Sequence, residues 1–210
     1  MTDSRRGDRR AEIVKAAYQV LSQRGYEATS IKDIAKAADI APGLIHYYFA
    51  TKEDLLVAVV EEASTVSRSQ FATLRDGEKV GRNLANAAFD LSLARLRSHP
   101  HDHRLRFELF AVGLHNPAVR SAVARVIAAR RGSMAAIVRA VGTVPEASAD
   151  AVAALLAAAF DGIAMHTLAD ATYDPAPAYR VLSDMARLYG GDLAAARRRP
   201  ARRVKARARR

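Results

Sequence analysis

Apolar residues recur at three- and four-residue spacing almost from end to end of the chain, and nowhere do they alternate at period two. Ile13, Ala16, Ala17 and Val20 make one such stripe, and Leu55, Ala58 and Val59 begin another. Leu84, Ala87, Ala88 and Leu91 follow the same rule, as do Val119, Ala122, Val123 and Val126. Met134, Ile137, Val138 and Val141 repeat it, and so do Ala178, Val181, Leu182 and Met185. Side chains at i, i+3, i+4 and i+7 share one face of an α-helix, whereas a half-buried strand alternates. The expectation is an all-α fold of about nine helices.

The punctuation agrees with that period. Gly25 stands at a C-cap position after the first stripe. Ser30-Ile-Lys-Asp33 and Thr51-Lys-Glu-Asp54 read as capping boxes with Asp in the Glu role. Asn116-Pro117 and Asp174-Pro175 read as an N-cap followed by Pro at the first helical position. Gly190-Gly191 reads as the stop of the last helix.

Residues 30–49, SIKDIAKAADIAPGLIHYYF, fit a helix-turn-helix. Ile31, Ile34 and Ala35 face inward on the first helix, and the small Ala35 lets the second cross closely. Ala38-Asp39-Ile40 makes the turn. Ile45 and Phe49, four apart, form the core side of the second helix. Pro42, Gly43, Leu44, His46 and Tyr47 lie on the opposite face, with Tyr48 at its edge. Four consecutive rings cannot share one core face of a helix. His46 and Tyr47 therefore point outward, where a ring meets base edges and a phenol or imidazole bonds a base or phosphate. Lys52 begins the next helix, where its charge and the free backbone N–H groups both favour a phosphate. Ser30, Lys32 and Thr51 complete the list of DNA-binding candidates. Packing of Tyr47 and Tyr48 against the helix from Ile13 to Arg24 is the competing reading, and Lys52 has an ordinary solvated role as its alternative.

The stretch GYEATSIKDIAKAADIAPGLIHYYFATKEDLL resembles the DNA-binding region of TetR-type transcriptional regulators, over about residues 10–60. The His-Tyr-Tyr-Phe version is similar to betaine-pathway-type members. The resemblance implies a homodimer that places the helix from Ala41 to Tyr47 of each subunit in successive major grooves of a pseudo-palindromic operator. It implies that Leu44, His46 and Tyr47 read bases, and that Thr29, Tyr48 and Lys52 hold phosphates. Two positions depart from the family pattern. Asp39 stands where Gly is usual in the turn, and Ala41 stands where Ser or Thr usually caps the recognition helix.

On this reading residues 1–50 form the DNA-binding domain, with an arginine-containing N-terminal arm over residues 1–10 that reaches a minor groove. Residues 51–193 form a helical domain for ligand binding and dimerisation. The helix from Thr51 to about Arg75 links the two, and its displacement by a ligand would change the separation of the reading heads. The segment from Ala151 to Asp170 is apolar nearly all round. With the helix from Ala178 to Leu188 it resembles the dimer-forming pair of the family, which places the dimer on helices of about residues 148–171 and 175–190; the competing reading is that the segment is monomer core. Pocket candidates are Phe89, Leu93, Phe107, Phe110, Leu114, Met134, Phe160 and Met165. Asp161 is either an anchor for a cationic small-molecule effector or a satisfied structural acid at the dimer interface.

Charge narrows the remaining classes. Residues 194–210 hold nine Lys or Arg and no acid, which leaves +2 of the net +11 for residues 1–193. That segment is expected to be a disordered tail. It adds sequence-independent DNA affinity, binds RNA or acidic partners, or is a neutral extension. A nucleoid-type or RNA-binding protein driven by the tail is accordingly the alternative to a ligand-responsive repressor. His99-Pro-His101-Asp-His103 sits in a loop-like spacing that does not suit a helical metal pair. With no Cys, no HExxH pattern and no nucleophile elbow, an enzyme is not expected, and no cofactor or metal is implied. The run from Ala151 to Phe160 is too short to span a bilayer, so a cytoplasmic protein with no membrane partner is expected.

Overall fold

The computed structural model describes residues 2–198, and side chains over residues 6–190. Within them the chain is all α-helical. The helices are α1 (Thr2–Arg24), α2 (Ile31–Ala37), α3 (Pro42–Tyr48), α4 (Lys52–Arg75), α5 (Gly81–Ser98), α6 (Pro100–His115), α7 (Pro117–Val141), α8 (Glu146–Ala169) and α9 (Ala176–Arg198).

Local chemistry places the boundaries. Gly25 ends α1 in a left-handed conformation, φ 78°, which is open to glycine without a Cβ penalty. Both capping boxes form: Ser30 with Asp33, and Thr51 with Asp54, exchange reciprocal bonds at the starts of α2 and α4. Asn116 caps α7, with Pro117 at its first position.

The main core begins in α1 with Ile13, Ala17 and Leu21 and takes in Ile34, Ile45 and Phe49 from the helix-turn-helix. It continues through Leu55 to Val60 of α4 into Leu105 and Leu109 of α6 and Val123 of α7. The head is thus packed onto the body through α4 and α6. A second cluster gathers Leu96, Phe160, Ala164 and Tyr179 deeper in the body. At about 1.5 Å per residue, the 24 residues of α4 span about 36 Å.

Four expectations need correction. Residues 2–10 are not an extended arm but the first turns of α1. Arg6 lies over the Tyr47 ring and Arg10 over the Phe49 ring, 5.3 and 4.9 Å from the centroids, so α3 gives this helical extension a surface to pack on. The Gly190-Gly191 pair does not stop α9, which runs to Arg198. A Cβ at Gly190 would lie 2.8 Å from Thr143 Oγ1, so this glycine serves close approach of α9 to the α7–α8 connection, and the Ala and Arg residues that follow propagate a helix well. Residues 194–198 of the expected tail are therefore helical, while residues 199–210 lie outside the described residues. The His99–His103 stretch is not a loop: Pro100 opens α6 and His103 faces inward.

Candidate functional site

The helix-turn-helix is built from its core outward. Ile34 and Ala35 bury one side of α2. The turn closes with Ile40 N–H donating to the Ala35 carbonyl at 3.0 Å. Asp39 adopts φ 53°, the one positive φ of a non-glycine among the described residues. Pro42 opens α3, and Ala41 before it supplies no side-chain cap. Ile45 and Phe49 are buried and set the rotation of α3.

That rotation leaves Pro42, Gly43, His46 and Tyr47 exposed, with Leu44 and Tyr48 half-buried. Tyr47 is 63% exposed. A large aromatic side chain held in water on a short, rigid helix is positioned for contact, since it contributes little burial to the fold. Tyr48 meets it edge to face, 5.1 Å between centroids, and also packs against the main core.

The phosphate candidates divide. Lys32 is exposed. Thr51 Oγ1 accepts from Asp54 N–H at 3.0 Å, which leaves its own proton for an outside acceptor. Ser30 is occupied on both sides, donating to the Asp33 carboxylate and accepting from Asp33 N–H. Thr29 is not available as a donor: it is 2% exposed, and its hydroxyl donates to the Gly25 carbonyl at 2.7 Å. Lys52 turns inward. Its ammonium donates to the Tyr26 carbonyl and stands 4.0 Å from the Tyr26 ring centroid. Tyr26 in turn donates to Glu53 at 2.8 Å, so Lys52 ties the α1–α2 loop to α4.

A second site lies in the body. A small cavity of about 100 Å³ is lined by residues of α4 to α9, with Arg95, Asp102, His103, Arg106 and Arg130 on its polar side. It adjoins a larger cavity of about 410 Å³. The two share Phe71, Ser92, Met134, Ile137 and Phe160. The larger one is lined chiefly by apolar groups, among them Ala85, Phe89, Val138, Val152 and Leu156.

Of the pocket candidates, Phe89, Met134 and Phe160 line these cavities. Leu93 and Phe107 pack behind them against the deeper cluster, and Phe110 packs on the main core. Leu114 and Met165 are corrected: they are 75% and 55% exposed, because their stripes face away from the helices that enclose the cavity. Asp161 does not offer a free carboxylate to a cation. It accepts from Arg106 at 2.9 Å and from Arg130 at 3.2 Å.

Residues 13–59 match the family model described as bacterial regulatory proteins, tetR family. Residues 81–188, just over half the chain, match the tetracyclin repressor-like C-terminal domain. The chain belongs to the TetR family.

Among curated TetR-type relatives, the regulator BetI of Rhizobium meliloti (strain 1021) is 38% identical over 68 residues, 32% of this chain and 30% of its own length. The nicotine-responsive repressor HdnoR of Paenarthrobacter nicotinovorans is 27% identical over 110 residues, 52% of this chain and 57% of its own. The chain therefore spans well under two thirds of the length of either. Among solved structures, multidrug binding protein EbrR complexed with ethidium superposes with TM-score 0.66 at 28% identity, covering 84% of this chain and 96% of that one.

Within this TetR-family chain, Arg95, Arg106 and Arg130 are the site residues that sequence reading passed over. An isolated arginine on an amphipathic helix looks like part of a solvated face. Arg95 and Arg106 are instead 7% and 9% exposed. The one available signal was Asp161 in an apolar helix, since a buried acid demands a cationic partner.

Proposed function

We propose that the protein is a ligand-responsive transcriptional repressor that binds a pseudo-palindromic DNA operator as a homodimer in the cytoplasm. The observation that carries this reading is the outward face of α3, where Tyr47 is held in solvent by the buried Ile45 and Phe49. A helix so locked presents Pro42, Gly43, His46 and Tyr47 as a unit to a major groove. Leu44 and Tyr48 flank it, and Lys32 and Thr51 bind phosphates alongside.

The dimer reading is supported by α8 and α9. Leu155, Met165, Val181, Met185, Leu188 and Tyr189 are six of the ten large hydrophobic side chains exposed among the described residues of the single chain. α8 is long and apolar enough to cross a membrane by length and composition, yet Asp161 at its middle is ion-paired. A second copy of the same helix pair covers the exposed surface and makes a four-helix bundle. Two heads held by one dimer read half-sites about 34–36 Å apart. Ligand response is supported by the two cavities that α4, the helix that carries the head, helps to line.

Tyr47→Ala tests the reading. It should weaken binding to the operator at least about tenfold, and change the stability of the chain by less than about 0.5 kcal/mol. Unchanged operator affinity would contradict it.

A further inference from the structure

The larger cavity is apolar, but the smaller one that opens into it is strongly cationic. Three guanidinium groups, Arg95, Arg106 and Arg130, converge on the small cavity from α5, α6 and α7. Two carboxylates face them. Asp102 accepts from Arg95 at 3.0 Å, and Asp161 is shared by Arg106 and Arg130. One positive charge is left over, and Arg68 at the cavity wall adds a second.

Neighbouring groups register the same excess. Burial and the three arginines push His103 down to about 3, so it stays neutral and its Nδ1 accepts from Arg106 at 2.9 Å. Burial and the Arg106 charge push Arg130 down to about 10. Arg106 Nε is buried with no hydrogen-bond partner. A buried donor without an acceptor is costly to the fold. Among the described residues, Asp102 is the one acid in the lining of either cavity, whereas Arg82 and Arg187 add to the basic ones.

We propose that the paired cavities bind an amphipathic monoanion, its carboxylate-like head on Arg106 and Arg130 and its hydrocarbon or aryl body between Phe89, Val138, Leu156 and Phe160. This rests on the ligand-responsive reading above and names its ligand class. The leftover guanidinium charge accepts one negative charge. The Arg106 and Arg130 guanidinium groups at the cavity wall supply charge-assisted bonds. The apolar cavity removes the body from water. A cation would meet three guanidinium groups and no unpaired carboxylate.

The test is calorimetric titration of the full chain, without DNA, with three probes that share a tail: decanoate, decanol and decyltrimethylammonium. Decanoate is expected to bind at least about tenfold more tightly than decanol, with no binding of the cation. Arg130→Gln should weaken decanoate about tenfold and leave decanol unchanged. Leu156→Trp, which fills the apolar cavity and leaves the ion pairs intact, should weaken both. Decanol or the cation binding as well as decanoate, or indifference to both substitutions, would overturn the assignment. Operator release is read separately. If decanoate binds as described and the operator stays bound, the ligand class stands and the effector role falls. If none of these probes binds while an unrelated molecule releases the operator, the effector role stands and the ligand class falls.

Discussion

Tyr18 of α1 donates its hydroxyl proton to Asp102 near the start of α6, 2.8 Å away. The same carboxylate accepts from Arg95 of α5, and Arg95 also donates to Gln70 of α4 at 2.6 Å. Burial, and then Asp102, push the Tyr18 hydroxyl up to about 12, so it remains a donor at any working pH. One carboxylate therefore joins the wall of the ligand cavity to the first helix of the DNA-reading head. We propose that a ligand seated on Arg106 and Arg130 acts on α1 through the neighbouring Arg95 and Asp102. A shared element of this kind is what coupling between the two sites would require.

Tyr18→Phe should therefore uncouple before it unfolds. The loss of one hydrogen bond is worth about 1 kcal/mol of stability. Operator affinity without effector should stay within about threefold of the unmodified chain, while the fold-change caused by effector shrinks. Titration of operator binding with and without effector checks it. An undiminished effector response would remove Tyr18 from the coupling.

Asp39 holds a left-handed conformation that disfavours any side chain. That strain is worth about 1–2 kcal/mol, partly relieved for Asp, and glycine gives back about 0.5–1 kcal/mol in chain entropy. Asp39→Gly should raise the stability of the full chain by about 0.5–1 kcal/mol. Denaturant titration reads it, and a loss of stability would show that the Asp39 side chain contributes more than its backbone costs.

The folded chain keeps His103 neutral down to about pH 3, whereas an unfolded histidine takes up a proton near pH 6.5. Below that pH the unfolded state binds more protons than the folded one, so stability falls with pH. The contribution is fully present above about pH 6.5 and is lost progressively toward pH 3. Between pH 7 and 5 the loss from this residue should be about 2 kcal/mol. His103→Gln should flatten that part of the stability profile, and an unchanged slope would contradict the burial of a neutral imidazole.

Much of this architecture was legible from local chemistry. The stripes from Ile13 to Met185 announce helices because the α-helical period places them on one face. Ser30 with Asp33 and Thr51 with Asp54 announce two helix starts because the capping bonds are made within four residues. The outward face of α3 follows from Ile45 and Phe49 alone. What was not legible depends on which helix lies against which. Leu114 and Met165 belong to apolar stripes as clearly as Phe89 does, and a stripe does not say whether a cavity or the outside lies beyond it. Arg95, Arg106 and Arg130 are spread over three helices and meet only when those helices pack. Lys52 looked solvent-directed because the Tyr26 carbonyl it bonds lies 26 residues away.

Leu188→Glu, placed on the exposed face of α9, should leave the chain folded and prevent pairing. A charge introduced into the centre of an apolar interface costs several kcal/mol of association. Sedimentation should show monomer for the variant and dimer for the unmodified chain at the same concentration. A dimeric variant would place the subunit contact elsewhere.

The most direct measurement is selection of genomic fragments by the full chain at about 0.15 M salt, where electrostatic binding alone is weak. The same selection is run with Tyr47→Ala. The fragments retained by the unmodified chain should share one pseudo-palindrome, and the variant should lose this enrichment. Retention of fragments with no common sequence, or the same enrichment with and without Tyr47, would contradict a repressor that reads its operator through α3.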